Sequence, residues 1–185
     1  MEQELRFDRS ASTFEEAIPL GNGRLGAMVY GGTATEKITI NEDTFWSGFP
    51  SVKDRANAYQ HLPSIRDKID RHMLKEATKE IHENFLSEFT ESYQPLGTIL
   101  LNFPLVDSCD YERILHLDTA VSEMSYLQNG VRFSREYFCS NPHQVLAIRL
   151  STQKKGGLCL TLHLDSQNFH KCVCRDQILS LIGNA

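Results

Sequence analysis

The 185-residue sequence has no apolar run near the ~18 residues that a membrane-crossing helix needs, which excludes an integral helical membrane protein. It has no cluster of lysine and arginine. Against 24 acidic residues there are only 19 basic ones, and the net charge of -5 lacks the footprint of a nucleic-acid binder. The opening residues Met1-Glu-Gln-Glu-Leu-Arg-Phe7 lack the basic start and apolar core of a signal peptide, so a cytoplasmic location is expected. Cysteines are few and odd in number. Cys109, Cys139, Cys159, Cys172 and Cys174 argue against a disulfide framework and fit a reducing compartment. Cys172 and Cys174, near His163 and His170, lack the second matched pair of a structural zinc site. One-residue spacing in a strand simply puts both on one face, so neither metal nor cofactor is expected. There are no repeats and no low-complexity tracts. What remains is ordinary for a folded chain: 41% hydrophobic and 23% charged residues, at a length that suits one domain with a sizeable core.

From Thr98 onward the pattern is that of short strands at regular spacing, predicted at Thr98–Phe103, Tyr111–Asp118, Val145–Leu150, Leu158–Leu164 and Ile178–Ile182. Leu158, Leu160, Leu162 and Leu164 fall on one side of theirs. Asn141-Pro142 and Gly156-Gly157 mark turns. Asn129-Gly130 suits the positive φ angles of a two-residue hairpin turn. That turn fixes a register: Gln128 opposite Val131, Tyr126 opposite Phe133, Met124 opposite Arg135 and Ser122 opposite Tyr137. Tyr126, Phe133 and Tyr137 then share a core face. Arg24–Tyr30 and Glu36–Ile40 also read as strands. Between Pro63 and Phe89 the period changes, with Leu62, Ile65, Ile69, Leu74, Ala77, Ile81 and Phe85 recurring every three or four residues. That predicts two amphipathic helices inserted, over about residues 55–90, into an all-β protein.

Three segments are candidates for chemistry. Gly21-Asn-Gly-Arg-Leu-Gly26 matches a dinucleotide-binding pattern, but strand-like residues follow it where a helix N-terminus is required, so a tight turn into a strand is the simpler reading. Asn41-Glu-Asp-Thr-Phe-Trp-Ser-Gly48 places polar groups beside the only tryptophan, a combination suited to a sugar's hydroxyls and ring face. Its plain alternative is a strand-end turn capped by Asx-type bonds, with Trp46 in the core. Ser92-Tyr-Gln-Pro-Leu-Gly97 is the third, and its Pro-x-Gly equally reads as just a turn. Adjacent carboxylates such as Glu42 and Asp43 point to opposite faces of a strand, and no arrangement of two facing acids ~6.5–9.5 Å apart can be read from the sequence.

Taken in order, Ala17–Gly32, Asn41–Gly48, Tyr93–Gly97, Leu115–Ala120, Gly130–Phe138 and Asn141-Pro142 with Gln144-Val145 resemble the N-terminal domain of glycoside hydrolase family 95. Phe45 and Thr98 depart from the family pattern, which usually has leucine or isoleucine at the first and an acidic residue at the second. The resemblance implies a β-supersandwich lacking its last strands, and inverting α-L-fucosidase chemistry on 1,2-linked fucose or on α-L-galactose. It also implies a downstream (α/α)6 barrel that holds the catalytic residues, so none is carried onto this chain. Through the full enzyme the substrate would be a fucosylated oligosaccharide, with no nucleic-acid or membrane partner. Asn41, Glu42, Asp43, Thr44, Trp46, Tyr93 and Gln94 are expected at a pocket edge or domain interface. A stand-alone carbohydrate-binding or interaction module, or an inactive fragment, is the alternative.

Overall fold

The computed structural model describes residues 3–49, 54–86, 91–104 and 107–184. Its strands are β1 (Glu4–Phe7), β2 (Ile18–Gly21), β3 (Leu25–Val29), β4 (Thr35–Glu42), β5 (Gly97–Asn102) and β6 (Ser108–His116). There follow β7 (Val121–Gln128), β8 (Val131–Ser140), β9 (Val145–Thr152), β10 (Thr161–Asp165), β11 (His170–Arg175) and β12 (Ile178–Gly183). They build two five-stranded antiparallel sheets, β1-β6-β7-β8-β9 and β10-β5-β4-β3-β2, and a two-stranded ribbon β11-β12. Among the described residues no helix is long and apolar enough to cross a membrane. The chain divides into two compact units. One is the sandwich, Met1–Phe45 with Gln94–Ala185; the other is Trp46–Tyr93.

The sandwich closes because alternation along each strand sends apolar residues inward. Ile18, Leu20, Ala27, Val29 and Ile38 of the second sheet meet Leu115, Met124, Tyr126 and Tyr137 of the first. Each aliphatic side chain buried there contributes ~1.5–3 kcal/mol. The hairpin forms in the register expected from its Asn-Gly turn, with Asn129 at φ 50° and Gly130 at φ 74°. Tyr126 and Phe133 stack at 5.4 Å.

That register also carries something unexpected. Arg113, Met124 and Arg135 form one row across β6, β7 and β8, so two arginines point into the core, each only 2% exposed. The charge of Arg135 is met from the opposite sheet by Glu36, which is fully buried, at 3.1 Å. Tyr137 donates to the same carboxylate oxygen at 2.8 Å, and the Gly31 N–H donates to the other at 2.8 Å. Arg135 further donates to the Gly32 and Thr33 carbonyls and to the Tyr126 hydroxyl. Its guanidinium lies 4.0 Å over the Phe103 ring. Burial pushes the Glu36 carboxyl up, opposed by Arg135, Tyr137 and Gly31. Burial also pushes the Tyr137 phenol well up, and the charge of Glu36 adds to this. Tyr137 is therefore a neutral donor. Among the described residues Arg113 has no carboxylate partner; it donates to the Arg9 and Glu16 carbonyls and covers the Phe7 ring.

Two expectations are corrected. The strand expected over Leu158–Leu164 begins only at Thr161, and Leu158 and Leu162 are exposed. The ribbon β11-β12 exposes Ile178 and Ile182, and Phe169, just before it, is exposed as well. In the second unit the helices are α1 (Leu62–Asp70), with Pro63 in its first turn, and α2 (Leu74–Asn84). Only Ile65 and Ala77 of the expected stripe are buried, while Ile69 and Leu74 face outward. Glu80 of α2 joins the two helices by accepting hydrogen bonds from Ser64 and Lys68 of α1. The end of the predicted helical stretch, residues 87–90, lies outside the described residues.

Breaking the core pair tests how far the sandwich depends on it. Glu36→Gln leaves the buried Arg135 charge unpaired and should lower the unfolding free energy by about 3–5 kcal/mol in a urea titration. Adding Arg135→Met should cost clearly less than the sum of the two single changes. A second measurement concerns the exposed ribbon. Phe169, just before β11, and Ile178, at the start of β12, present apolar surface, so light scattering should show self-association that Phe169→Ser with Ile178→Thr reduces.

Candidate functional site

At one end of the sandwich three turns interlock. The first, between β2 and β3, is built by Asn22, whose Oδ1 accepts from the Arg24 and Leu25 N–H groups. Gly23 takes φ 94°, which only glycine adopts without strain. This glycine segment is therefore a strand-to-strand turn, as expected, and no helix opens after it to bind a pyrophosphate. The Asn22 Nδ2 donates to the Ser140 carbonyl, and Asn141 Nδ2 returns a bond to the Asn22 carbonyl at 2.7 Å. Asn141 belongs to the second turn, between β8 and β9, which Gln144 closes by donating to the Asn141 carbonyl.

The third turn is Asn41–Thr44, at the end of β4. Glu42 caps it: one carboxylate oxygen accepts from the Thr44 N–H at 2.8 Å and from its hydroxyl at 2.6 Å. The other oxygen meets Arg24 at 3.2 Å, and Arg24 also donates to Gln144. Arg24 thus ties all three turns together. The Asp43 N–H donates to the Arg24 carbonyl. Hydrogen bonds from Thr44 and the nearby Arg24 hold the Glu42 carboxyl below its usual range. Asn41 Oδ1 accepts from the Leu96 N–H, and the Gln94 N–H donates to the Phe45 carbonyl, so the Gln94–Gly97 stretch is pinned beside this turn. Ser166 and Asn168 hold the same stretch through the Leu96 and Pro95 carbonyls.

Of the expected site residues, Asn41, Glu42, Asp43, Thr44 and Gln94 belong to the sandwich, and Trp46 and Tyr93 to the helical unit. Within that unit Trp46 and Tyr93 form an isolated bridge, and their rings lie 5.3 Å apart at 54°. The alternative that put Trp46 in the core is corrected: the residue is 45% exposed, and its ring lies against Tyr93. The cap is also supplied by a glutamate rather than by an Asx side chain. Sequence reasoning missed Arg24, Asn22, Asn141 and Gln144 as members of this cluster. The signal was present, since each sits in a turn motif that had been noted, but nothing in the sequence said that the three turns meet.

The arrangement is suited to holding loops in place and to offering amide and carboxylate groups. It is not suited to proton transfer, because Glu42 is ionised and both its oxygens are engaged. Among the described residues there is no group of three or more histidines, cysteines or acids that could hold a metal ion.

This fold and its motifs define a glycosidase-associated N-terminal domain: the chain belongs to the family described as "Glycosyl hydrolase family 65, N-terminal domain", matched over residues 5–185. Among curated proteins it is similar to "Alpha-L-fucosidase 2" of Arabidopsis thaliana, 36% identical over 170 residues, or 90% of this chain and 20% of that protein. It is also similar to "Probable alpha-fucosidase A" of Aspergillus niger, 31% identical over 150 residues, or 77% of this chain and 18% of that protein. The protein of the same name from Aspergillus oryzae is 27% identical over 150 residues, covering 77% and 20%. The chain thus spans about a fifth of the length of these relatives.

The Glu42 cap gives a signed pH expectation. A carboxyl with a lowered folded pKa contributes stability that is present above the ordinary glutamate range and is lost as pH falls through the lowered folded value. A carbon-13 NMR titration should place Glu42 below an unfolded-peptide glutamate, and Thr44→Val should move it back up.

Proposed function

We propose that this chain is the N-terminal, non-catalytic sandwich of a family 95-type α-L-fucosidase, an inverting enzyme that removes terminal 1,2-linked α-L-fucose or the related α-L-galactose. In this reading the sandwich packs against and supports a downstream (α/α)6 barrel that carries the catalytic acids. The observation that carries the reading is the set of relatives: proteins named as fucosidases, about a fifth of whose length corresponds to this chain. The chemistry of the three-turn cluster agrees with it. A fully bonded, ionised Glu42 cannot act as a general acid, but the bonds of this cluster hold Asn41, Asp43, Thr44 and Gln94 on a rigid scaffold, where binding groups usually sit. Asn41 and Glu42 would hold the pocket edge or a sugar hydroxyl. In the helical unit, the half-exposed rings of Trp46 and Tyr93 offer an apolar contact surface of their own.

The 185-residue chain by itself should show no turnover of an aryl α-L-fucoside or of 2′-fucosyllactose above buffer. Hydrolysis abolished by a substitution within this chain would overturn the reading. In the longer polypeptide, Glu42→Gln should lower kcat/KM while the melting temperature moves by no more than about 4 °C, the shift of a roughly 1 kcal/mol change. Intact kinetics with lost stability would leave Glu42 a purely structural cap.

A further inference from the structure

The outer face of the β10-β5-β4-β3-β2 sheet carries an open cleft of about 700 Å³, within the ~300–1,000 Å³ range of small-molecule sites. The sheet register dictates what faces it. Ile38 and Ile40 turn into the core, so their neighbours Lys37, Thr39 and Asn41 turn outward. Pairing then aligns Pro19, Met28, Thr39, Thr98 and Asp165 as one row across all five strands. In the next row Gly26 sits opposite Asn41. A Cβ at Gly26 would meet nothing within 4 Å, so the floor there is bare, flat backbone.

This surface carries polar groups that the fold leaves unused. The Thr39 Oγ1 is buried and has no hydrogen-bond partner among the described residues. A buried hydroxyl without a partner costs ~1–3 kcal/mol, a cost that a ligand reaching it would remove. Asn41 spends its Oδ1 on Leu96. Asp165 spends its Oδ1 on the Ser166 N–H and on His170. Among the described residues Lys37 and Asp165 are the only charged ones of the lining, and Lys37 lies 4.7 Å over the Tyr30 ring, so the cleft is balanced in charge. Strands β3, β4 and β5 are paired on both sides, which leaves no free backbone edge there for an added peptide strand.

We infer that this cleft binds a neutral oligosaccharide, with a pyranose ring lying on the bare floor at Gly26 and Met28 and its hydroxyls bonded by Thr39, Asn41 and Asp165. Alternating apolar ring faces and hydroxyl edges match a surface that is half flat and half hydrogen-bonding. The choice of a fucosylated probe rests on the fucosidase reading; the cleft itself does not.

The test is a titration of the nitrogen-15-labelled chain with 2′-fucosyllactose and, separately, with lactose, each to about 10 mM, in the weak range expected of single-site sugar binding. Amide shifts should change around Gly26–Met28, Thr39–Asn41 and Gly97–Thr98. Thr39→Val should weaken binding about tenfold while the melting temperature stays the same or rises, because the variant loses a hydrogen bond to ligand and no bond within the fold. Gly26→Leu should abolish binding with the dispersed spectrum retained. Shifts with lactose alone would uphold the cleft and count against the fucosidase reading. The inference is overturned if neither sugar moves these amides, or if Thr39→Val binds as tightly as the parent. It is equally overturned if Gly26→Leu spares sugar binding and instead dissociates a dimer seen by light scattering, which would make the face a protein contact.

Discussion

Glu36 and Arg135 face each other between the two sheets, and much of the sandwich is arranged around that contact. Arg135 is buried against a counter-charge that Glu36 supplies from the opposite sheet. The same pair fixes the turn that joins β3 to β4. Glu36 takes the Gly31 N–H, Arg135 takes the Gly32 and Thr33 carbonyls, and the Tyr111 hydroxyl bonds the Gly31 carbonyl at 2.6 Å. Gly31 holds φ 74° directly under the Arg113 stem, where a Cβ would lie 2.4 Å from that side chain. Apolar packing alone would leave the two sheets free to slide. A directional pair with fixed hydrogen bonds selects one alignment.

That alignment has consequences at the other end of the sandwich. Residues of β4 alternate between the core and the outer face, so the register that buries Glu36 and Ile38 also turns Thr39 and Asn41 outward. At its far end β4 delivers Glu42 to the three-turn cluster, where Arg24 and Gln144 wait on the neighbouring turns. One strand therefore serves the core pair, the open cleft and the polar cluster, and a one-residue slip would dismantle all three.

The polar cluster and the buried pair differ in what they do with charge. Glu36 is dehydrated and its carboxyl is pushed up; Glu42 lies at the surface and its carboxyl is pulled down by Thr44 and Arg24. Both are fully bonded and neither is free to give or take a proton in a reaction.

The sequence by itself determined the all-β class, the inserted helical pair and the pairing of the Asn129-Gly130 hairpin residue by residue, because strand alternation, helical period and turn chemistry are local properties. It also singled out the segments that the family match later covered. It did not reveal that Arg113 and Arg135 lie inside, since a charged residue in an alternating strand reads as solvent-facing until distant partners, Glu36 for Arg135 and the Arg9 and Glu16 carbonyls for Arg113, are brought to it. Nor did it show that Trp46 is half-exposed, or that Asn22, Glu42 and Gln144 meet at one end. Those outcomes depend on which strands become neighbours, and neighbourhood across a sandwich is set by the joint burial of distant residues, which no stretch of sequence states alone.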